Sequence, residues 1–492
     1  MIAMKDISAM GVVGAGPMGS GIAQIGLTSD MSIVLVDKDQ GALDRAVQDI
    51  HSRIARLVEK GAIPDERLDA IRGRLTTSTD IADLASCDVV IEAIIERLEP
   101  KQTLFSDLEN IVSEQCILAT NTSSLSVAAI AAKCRNRKRV CGMHFFNPVP
   151  LMKLVEVVIA PGTSSEVGQA AHQLSLKLGK VPVIVKDGPG FLVNLQGRAY
   201  TTEALAIAQE GVADFATIDR IMRDGAGFRM GPFELMDLTG IDVNYPVTQF
   251  IYEGYQHDQR LRTTTQHALL AAAGNFGRKS GQGFFDYGEG RMETPVERTV
   301  GWPELHPRLI GHESAWEALR AATELVEGAD VNLIAPVGED CATACHRLGL
   351  DPANTVAVDF TATKRKHLTV MSAVGGSLKA EQVAQWLRGH GFTAEIIQDS
   401  PGFVLQRILA MVANLGCELA QIGVGSPTDI DTAMKLAQNY PLGPLEWAEK
   451  LGMATCHAIL VQLQSITGSD RYRPSLWLRR RAMFGLSAYT PQ

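Results

Sequence analysis

Apolar residues in the first part of the chain fall into short continuous runs, at 9–13, 33–36, 89–91, 116–119, 140–144, 154–159 and 181–185. Segments of helical spacing separate them, the clearest at 41–60. Continuous runs fit strands buried on both faces, so the pattern predicts βαβ units in a mostly parallel sheet covered by helices. The strands stop at Asp187-Gly188-Pro189-Gly190, and 190–290 reads as mainly helical, closing on Gly277-Arg278-Lys279-Ser280-Gly281. Residues 291–328 carry few apolar runs and read as a connector, after which strand-like runs return at 331–335, 355–360, 368–372 and 394–398.

The chain repeats itself. Asp187-Gly-Pro-Gly-Phe191 recurs as Asp399-Ser-Pro-Gly-Phe403, an offset of 399 − 187 = 212. The same offset carries Ile218-Asp219 onto Ile430-Asp431, Gly231-Pro232 onto Gly443-Pro444, Glu234 onto Glu446 and Gly240 onto Gly452 without a gap. The helical domain is therefore duplicated. The roughly 70 residues before the second copy are too few for a six-stranded dinucleotide fold and hold no Gly-x-Gly-x-x-Gly, so they read as a reduced sheet domain without a cofactor.

Composition narrows the class. At 492 residues the chain needs about three domains, and its 46% apolar and 21% charged residues are those of a globular protein. A net charge of −9 argues against nucleic-acid binding, and no segment offers the ~18 uncharged apolar residues of a membrane span. The start, Met1-Ile2-Ala3-Met4-Lys5-Asp6, lacks the layout of a signal peptide, which predicts a cytoplasmic protein. Eight scattered cysteines without Cys-x-x-Cys predict no metal site, and Cys341 and Cys345 read as reduced thiols on one helix face.

Two constellations carry chemistry. Gly14-Ala15-Gly16-Pro17-Met18-Gly19 joins a predicted strand to a predicted helix, where glycines permit a tight turn and close approach of a pyrophosphate. The next strand ends in Asp37, whose carboxylate would accept ribose hydroxyls and repel a 2′-phosphate, so NAD is expected rather than NADP. At the ends of later strands lie Asn121-Thr122-Ser123-Ser124, His144 and Glu156. A neutral imidazole there can take a hydroxyl proton as hydride leaves carbon, and a carboxylate on its other nitrogen fixes the tautomer. An isolated histidine on an apolar strand is usually structural; Ser, His and Glu together reverse that reading.

The run from His144-Phe-Phe-Asn147-Pro to Glu156, with Asn121-Thr-Ser123-Ser upstream and Pro189-Gly-Phe-x-x-Asn194 downstream, resembles the L-3-hydroxyacyl-CoA dehydrogenase family over about residues 8–290. The reduced sheet and second helical copy are similar to a long bacterial subgroup that includes 3-hydroxybutyryl-CoA and 3-hydroxyadipyl-CoA dehydrogenases, in fatty-acid and phenylacetate degradation. The resemblance implies a Rossmann-type NAD-binding domain at 1–188, an all-α domain at 189–290, a reduced Rossmann-like domain at 329–398 and a degenerate second all-α domain at 399–492. It implies His144 as general base, Glu156 as its partner, and Ser123 and Asn194 as hydrogen-bond partners of the substrate oxygen. Glu96, Lys101, Asn147 and Lys279 would contact the nicotinamide side of NAD. Ser52 and Lys60 would contact the CoA of an acyl-CoA substrate.

Under the 212 offset Asn194 becomes Gln406, and the strands around 356–370 offer neither the histidine nor the glutamate, so one active site per chain is expected. The duplicate would take the place of a partner's helical domain, as an intrachain pseudo-dimer or within a homo-oligomer. Two other readings compete. A dehydrogenase of free hydroxy acids would need an arginine clamp that 120–160 does not show, and a non-catalytic NAD-binding scaffold would have no use for a proton relay.

Overall fold

The computed structural model describes residues 7–288, 303–311, 316–317, 319–320 and 330–491. The chain divides into two compact units, residues 1–193 with 423–438, and residues 194–422 with 439–492.

In the first unit the apolar runs pair as β1 (Ala9–Val13), β2 (Ser32–Val36), β3 (Leu75–Ser78), β4 (Val89–Glu92), β5 (Ile117–Thr120), β6 (Val140–Phe145), β7 (Leu154–Ile159) and β8 (Val181–Lys186). Their order is β3-β2-β1-β4-β5-β6-β7-β8, parallel throughout except for the antiparallel β6–β7 pair. β3 was missed in the sequence because Leu75-Thr76-Thr77-Ser78 is only partly buried and carries one large apolar residue. Helix α1 (Pro17–Thr28) and helix α2 (Gln40–Glu59) cover one face. α2 starts where the Asp39 side chain accepts the Gly41 N–H, and it buries Leu43, Ala46, Ile50 and Ile54 at helical spacing. Ile50 and Ile54 are wholly buried against the sheet core, where each side chain contributes about 1.5–3 kcal/mol and Ile50→Ala would cost ~2–5 kcal/mol. The helix Pro427–Gln438, although it lies in the second sequence repeat, packs on β7 and β8 of this unit.

The second unit holds a five-stranded sheet of β9 (Pro307–Ile310), β10 (Val331–Ile334), β11 (Thr355–Asp359), β12 (His367–Ser372) and β13 (Thr393–Ile396), in the order β13-β12-β11-β10-β9. Again one neighbouring pair, β11–β12, is antiparallel. Among the described residues this sheet repeats β4 to β8 and shows no counterpart of β1 to β3, the half that carries the glycine loop. The 291–328 stretch lies largely outside the described residues, but its described part is more than a connector: β9 is an edge strand paired with β10, and Trp316 and Leu319 sit in the core of this sheet.

The registers align the two halves residue by residue. Leu154 pairs with Val181 on β7–β8, and His367 with Thr393 on β12–β13; Val181 and Thr393 are repeat partners. Since His144 pairs with Glu156 and Asp359 with Thr369, Asp359 stands at the histidine position and Thr369 at the glutamate position. Gln406, the counterpart of Asn194, is buried, accepts from Gly338 N at 3.0 Å and donates to Asp359 Oδ1 at 3.2 Å. The second half keeps the scaffold and has lost the acid–base pair.

Candidate active site

β1 delivers the chain into the glycine loop. Gly14 has φ +107°, and a Cβ there would stand 2.5 Å from the Ala93 carbonyl oxygen; at Gly19 it would stand 1.7 Å from the Gly14 carbonyl oxygen. Over Gly16 a Cβ would meet nothing within 4 Å. Gly16 caps α1 with no side-chain hydrogen bond, so the amides of the first turn face that open space with the positive end of the helix dipole. Asp37 closes the other side: Oδ2 accepts the Ala15 N–H at 2.8 Å and Oδ1 the Asp39 N–H at 3.0 Å. Unblocked donors beside an anchored carboxylate fit the pyrophosphate and ribose of NAD.

Beyond the ends of β4 and β5 a pair of carboxylates shapes the Ser123 turn. Glu96 Oε1 accepts the Thr122 hydroxyl at 2.6 Å, the Ser123 N–H at 2.9 Å and the Ser124 N–H at 3.1 Å. Burial would raise the Glu96 pKa, but the Thr122 hydroxyl, the Lys101 charge and the Ser123 N–H outweigh it and hold it below the usual range. Lys101 lies beside Glu96. It is 1% exposed, its Nζ donating to Glu92 Oε1 at 2.5 Å and standing 3.2 Å from Glu96 Oε2. Enclosed between two carboxylates, it holds Glu96 in place. Glu92, which also accepts the Thr120 hydroxyl at 2.7 Å, was not foreseen, although an acidic residue ending an apolar strand was a signal.

His144 and Glu156 face each other across β6 and β7, with Nδ1 2.6 Å from Oε2. The other Glu156 oxygen accepts the Leu192 and Val193 N–H groups at 3.0 and 2.9 Å. Phe146 and Phe191 flank the imidazole, with ring centroids 4.4 and 5.9 Å away. Nε2 makes no hydrogen bond among the described residues, which leaves it as the nitrogen available for proton transfer. Asn194 is next in the chain after Val193; it opens the second unit, half-buried in a helix start that is otherwise buried.

Asn147 and Lys60 line a cavity of about 540 Å³ in the first unit, together with Arg53 and Arg56. Three cations, two on α2 and Lys60 at its C-terminal cap, suit phosphate groups, and the two arginines went unnoticed because on a solvated helix they read as ordinary surface charge. Ser52 is exposed on the same helix and does not line this cavity. Lys279, in the second unit, forms an ion pair with Asp242. Among the described residues no cluster of His, Cys, Asp or Glu is arranged to hold a metal ion, and all eight cysteines are free and buried.

Known proteins are similar to this chain. Residues 9–188 match the 3-hydroxyacyl-CoA dehydrogenase NAD-binding domain, and residues 190–287 and 402–488 each match the C-terminal domain of the same family, which confirms the duplication. The chain is 38% identical over 480 residues, 98% of both chains, to 3-hydroxyadipyl-CoA dehydrogenase of Escherichia coli K12. It is 38% identical over 286 residues, 56% of this chain and 90% of the other, to human mitochondrial hydroxyacyl-coenzyme A dehydrogenase. The crystal structure of 3-hydroxybutyryl-CoA dehydrogenase from E. coli K12 superposes with a TM-score of 0.89 at 37% identity, covering 98% of this chain and 99% of that one. With both domains matched and the glycine loop in place, the chain belongs to the 3-hydroxyacyl-CoA dehydrogenase family, and it is an NAD-dependent enzyme that oxidises 3-hydroxyacyl-CoA.

Proposed function

We propose that His144 is the general base of this oxidation and Glu156 the residue that keeps it one. The observation that carries this is the 2.6 Å Nδ1–Oε2 contact, which directs one ring nitrogen to the carboxylate and leaves Nε2 to accept the C3 hydroxyl proton. Bound NAD supplies the hydride acceptor. As the proton arrives, the Glu156 charge stabilises the imidazolium, while its two backbone donors hold the carboxylate in place. Ser123, on a turn anchored by Glu96, and Asn194 would hydrogen-bond the oxygen as it passes from alcohol to ketone. Gly14, Gly16, Gly19 and Asp37 would seat NAD; Lys60, with Arg53 and Arg56, would take phosphates of CoA.

The acyl group is the finer question. The E. coli relatives named above are a 3-hydroxyadipyl-CoA and a 3-hydroxybutyryl-CoA dehydrogenase, which supports a short acyl chain, with or without a terminal carboxylate. The helical copies pack together within the second unit, since Arg407 reaches Glu203 at 2.7 Å and Arg471 reaches it at 2.6 Å. That supports a pseudo-dimer within one chain. No helix among the described residues is long and apolar enough to cross a membrane. NADH oxidation measured side by side with acetoacetyl-CoA, longer 3-oxoacyl-CoAs and free 3-oxo acids tests the reading: turnover confined to the thioesters is expected, and preference for a free acid would overturn it.

A further inference from the structure

The helix Val193–Gln209 carries Arg198 one turn beyond Asn194, buried to 8% exposure. Its Nε donates to the Asn194 carbonyl at 3.0 Å, and its Nη1 to the Thr248 hydroxyl at 2.5 Å and toward the Asn244 carbonyl at 3.4 Å. Every one of these acceptors is neutral, and among the described residues no carboxylate pairs with Arg198. His267, bonded to Asn244 Oδ1 at 2.6 Å, adds no countercharge, because burial and the Arg198 charge push its pKa down to about 3. Burial also lowers the Arg198 pKa, to about 10, with only the Tyr440 phenol opposing. Nη2 makes no hydrogen bond among the described residues and is not wholly enclosed.

A buried cation without a countercharge is costly, and packed apolar groups commonly serve a fold as well or better. The second copy shows that this helical domain does without the cation. Under the 212 offset Arg198, Asn244 and Thr248 become Ala410, Cys456 and Leu460, all buried apolar residues in the same scaffold. The polar cluster thus belongs to the catalytic copy alone.

We propose that Arg198 binds a carboxylate at the far end of the acyl group, so that the substrate is a 3-hydroxyacyl-CoA ending in a terminal carboxylate, about six carbons long. This rests on the reading above that Asn194 bonds the C3 oxygen. Four helical residues rise about 6 Å, and the Arg198 side chain leans back toward the helix N-terminus, over the Asn194 turn. From C3 to C6 three single bonds span roughly 3.5 Å, and a charge-assisted hydrogen bond adds ~2.8 Å. A four-carbon acyl chain stops short and leaves the guanidinium without a countercharge.

The test compares kcat/KM for 3-oxoadipyl-CoA and acetoacetyl-CoA in the full chain and in Arg198→Met and Arg198→Lys. The wild type should prefer 3-oxoadipyl-CoA, Arg198→Met should lose ~10–100-fold on that substrate while acetoacetyl-CoA changes little, and Arg198→Lys should fall between. An equal loss on both substrates, or a wild type that prefers acetoacetyl-CoA, would overturn the proposal. Calorimetry of the wild type with adipyl-CoA and butyryl-CoA decides the matter without a variant, since tighter adipyl-CoA binding supports the carboxylate site and equal affinity refutes it. Turnover of neither 3-oxo substrate would instead bring down the proposed reaction itself.

Discussion

Glu156 Oε2 lies 2.6 Å from His144 Nδ1 because the two residues are register partners on antiparallel neighbours, β6 and β7. The pairing places both Cβ atoms on one face of the sheet at close range, and the backbone N–H groups of Leu192 and Val193 fix the second carboxylate oxygen. The position of His144, the proposed base, is therefore set by sheet geometry.

His144→Gln should lower kcat by ~10²–10⁴ with NADH affinity almost unchanged, as expected for loss of a positioned acid–base group. Glu156→Gln should also depress kcat, because the imidazolium loses its countercharge. Steady-state kinetics with NADH binding measured separately would check both, and near wild-type turnover in His144→Gln would sink the assignment.

Asp37→Ala should raise KM for NADH and narrow its advantage over NADPH, since the carboxylate that would accept ribose hydroxyls and repel a 2′-phosphate is gone. Equal use of NADPH by the wild type would contradict this role.

Glu96 holds the Ser123 turn through five hydrogen bonds, so Glu96→Gln should cut kcat more than it changes Tm. Its folded pKa lies below the unfolded value, so its stabilising contribution is complete above the ordinary glutamate range and lost as pH falls through the lower, folded value. A pH–rate profile showing the turn disordering near neutrality would be inconsistent with that sign.

Arg407 and Glu203 are both wholly buried, and Arg407 also bonds the Tyr472 hydroxyl at 2.6 Å. Arg407→Met should destabilise the chain by about 3–5 kcal/mol, read as a shift of the urea midpoint, because it leaves part of the Glu203 charge unmatched. An unchanged midpoint would mean that the two helical copies do not depend on this network.

One NADH should bind per chain, as the second half of the sequence holds no Gly-x-Gly-x-x-Gly. A truncation after about residue 290 should self-associate, because it removes Pro427–Gln438 from β7 and β8 and uncovers the apolar surface beneath. Calorimetric stoichiometry and light scattering respectively would show it; two sites per chain, or a stable monomeric fragment, would refute each part.

The periodicity of the chain by itself determined much of this protein. Continuous apolar runs specified seven of the eight strands of the first sheet, because strands buried on both faces tolerate little polarity, and the 212-residue repeat exposed the duplicated helical domain through its glycine and proline turns. The glycine loop and Asp37 were legible because a tight turn admits so few residues, and His144, Ser123 and Glu156 because polar groups at the ends of buried strands are rare. Tertiary structure alone decided the rest. The enclosure of Lys101 between Glu92 and Glu96 is one case, since burial depends on what packs over a helix and not on the helix alone. β3 and β9 were invisible because edge strands are half-solvated and carry weak patterns. Arg198 reads as an ordinary charge on an amphipathic helix; only three-dimensional packing shows it buried among neutral acceptors, with no carboxylate paired to it among the described residues.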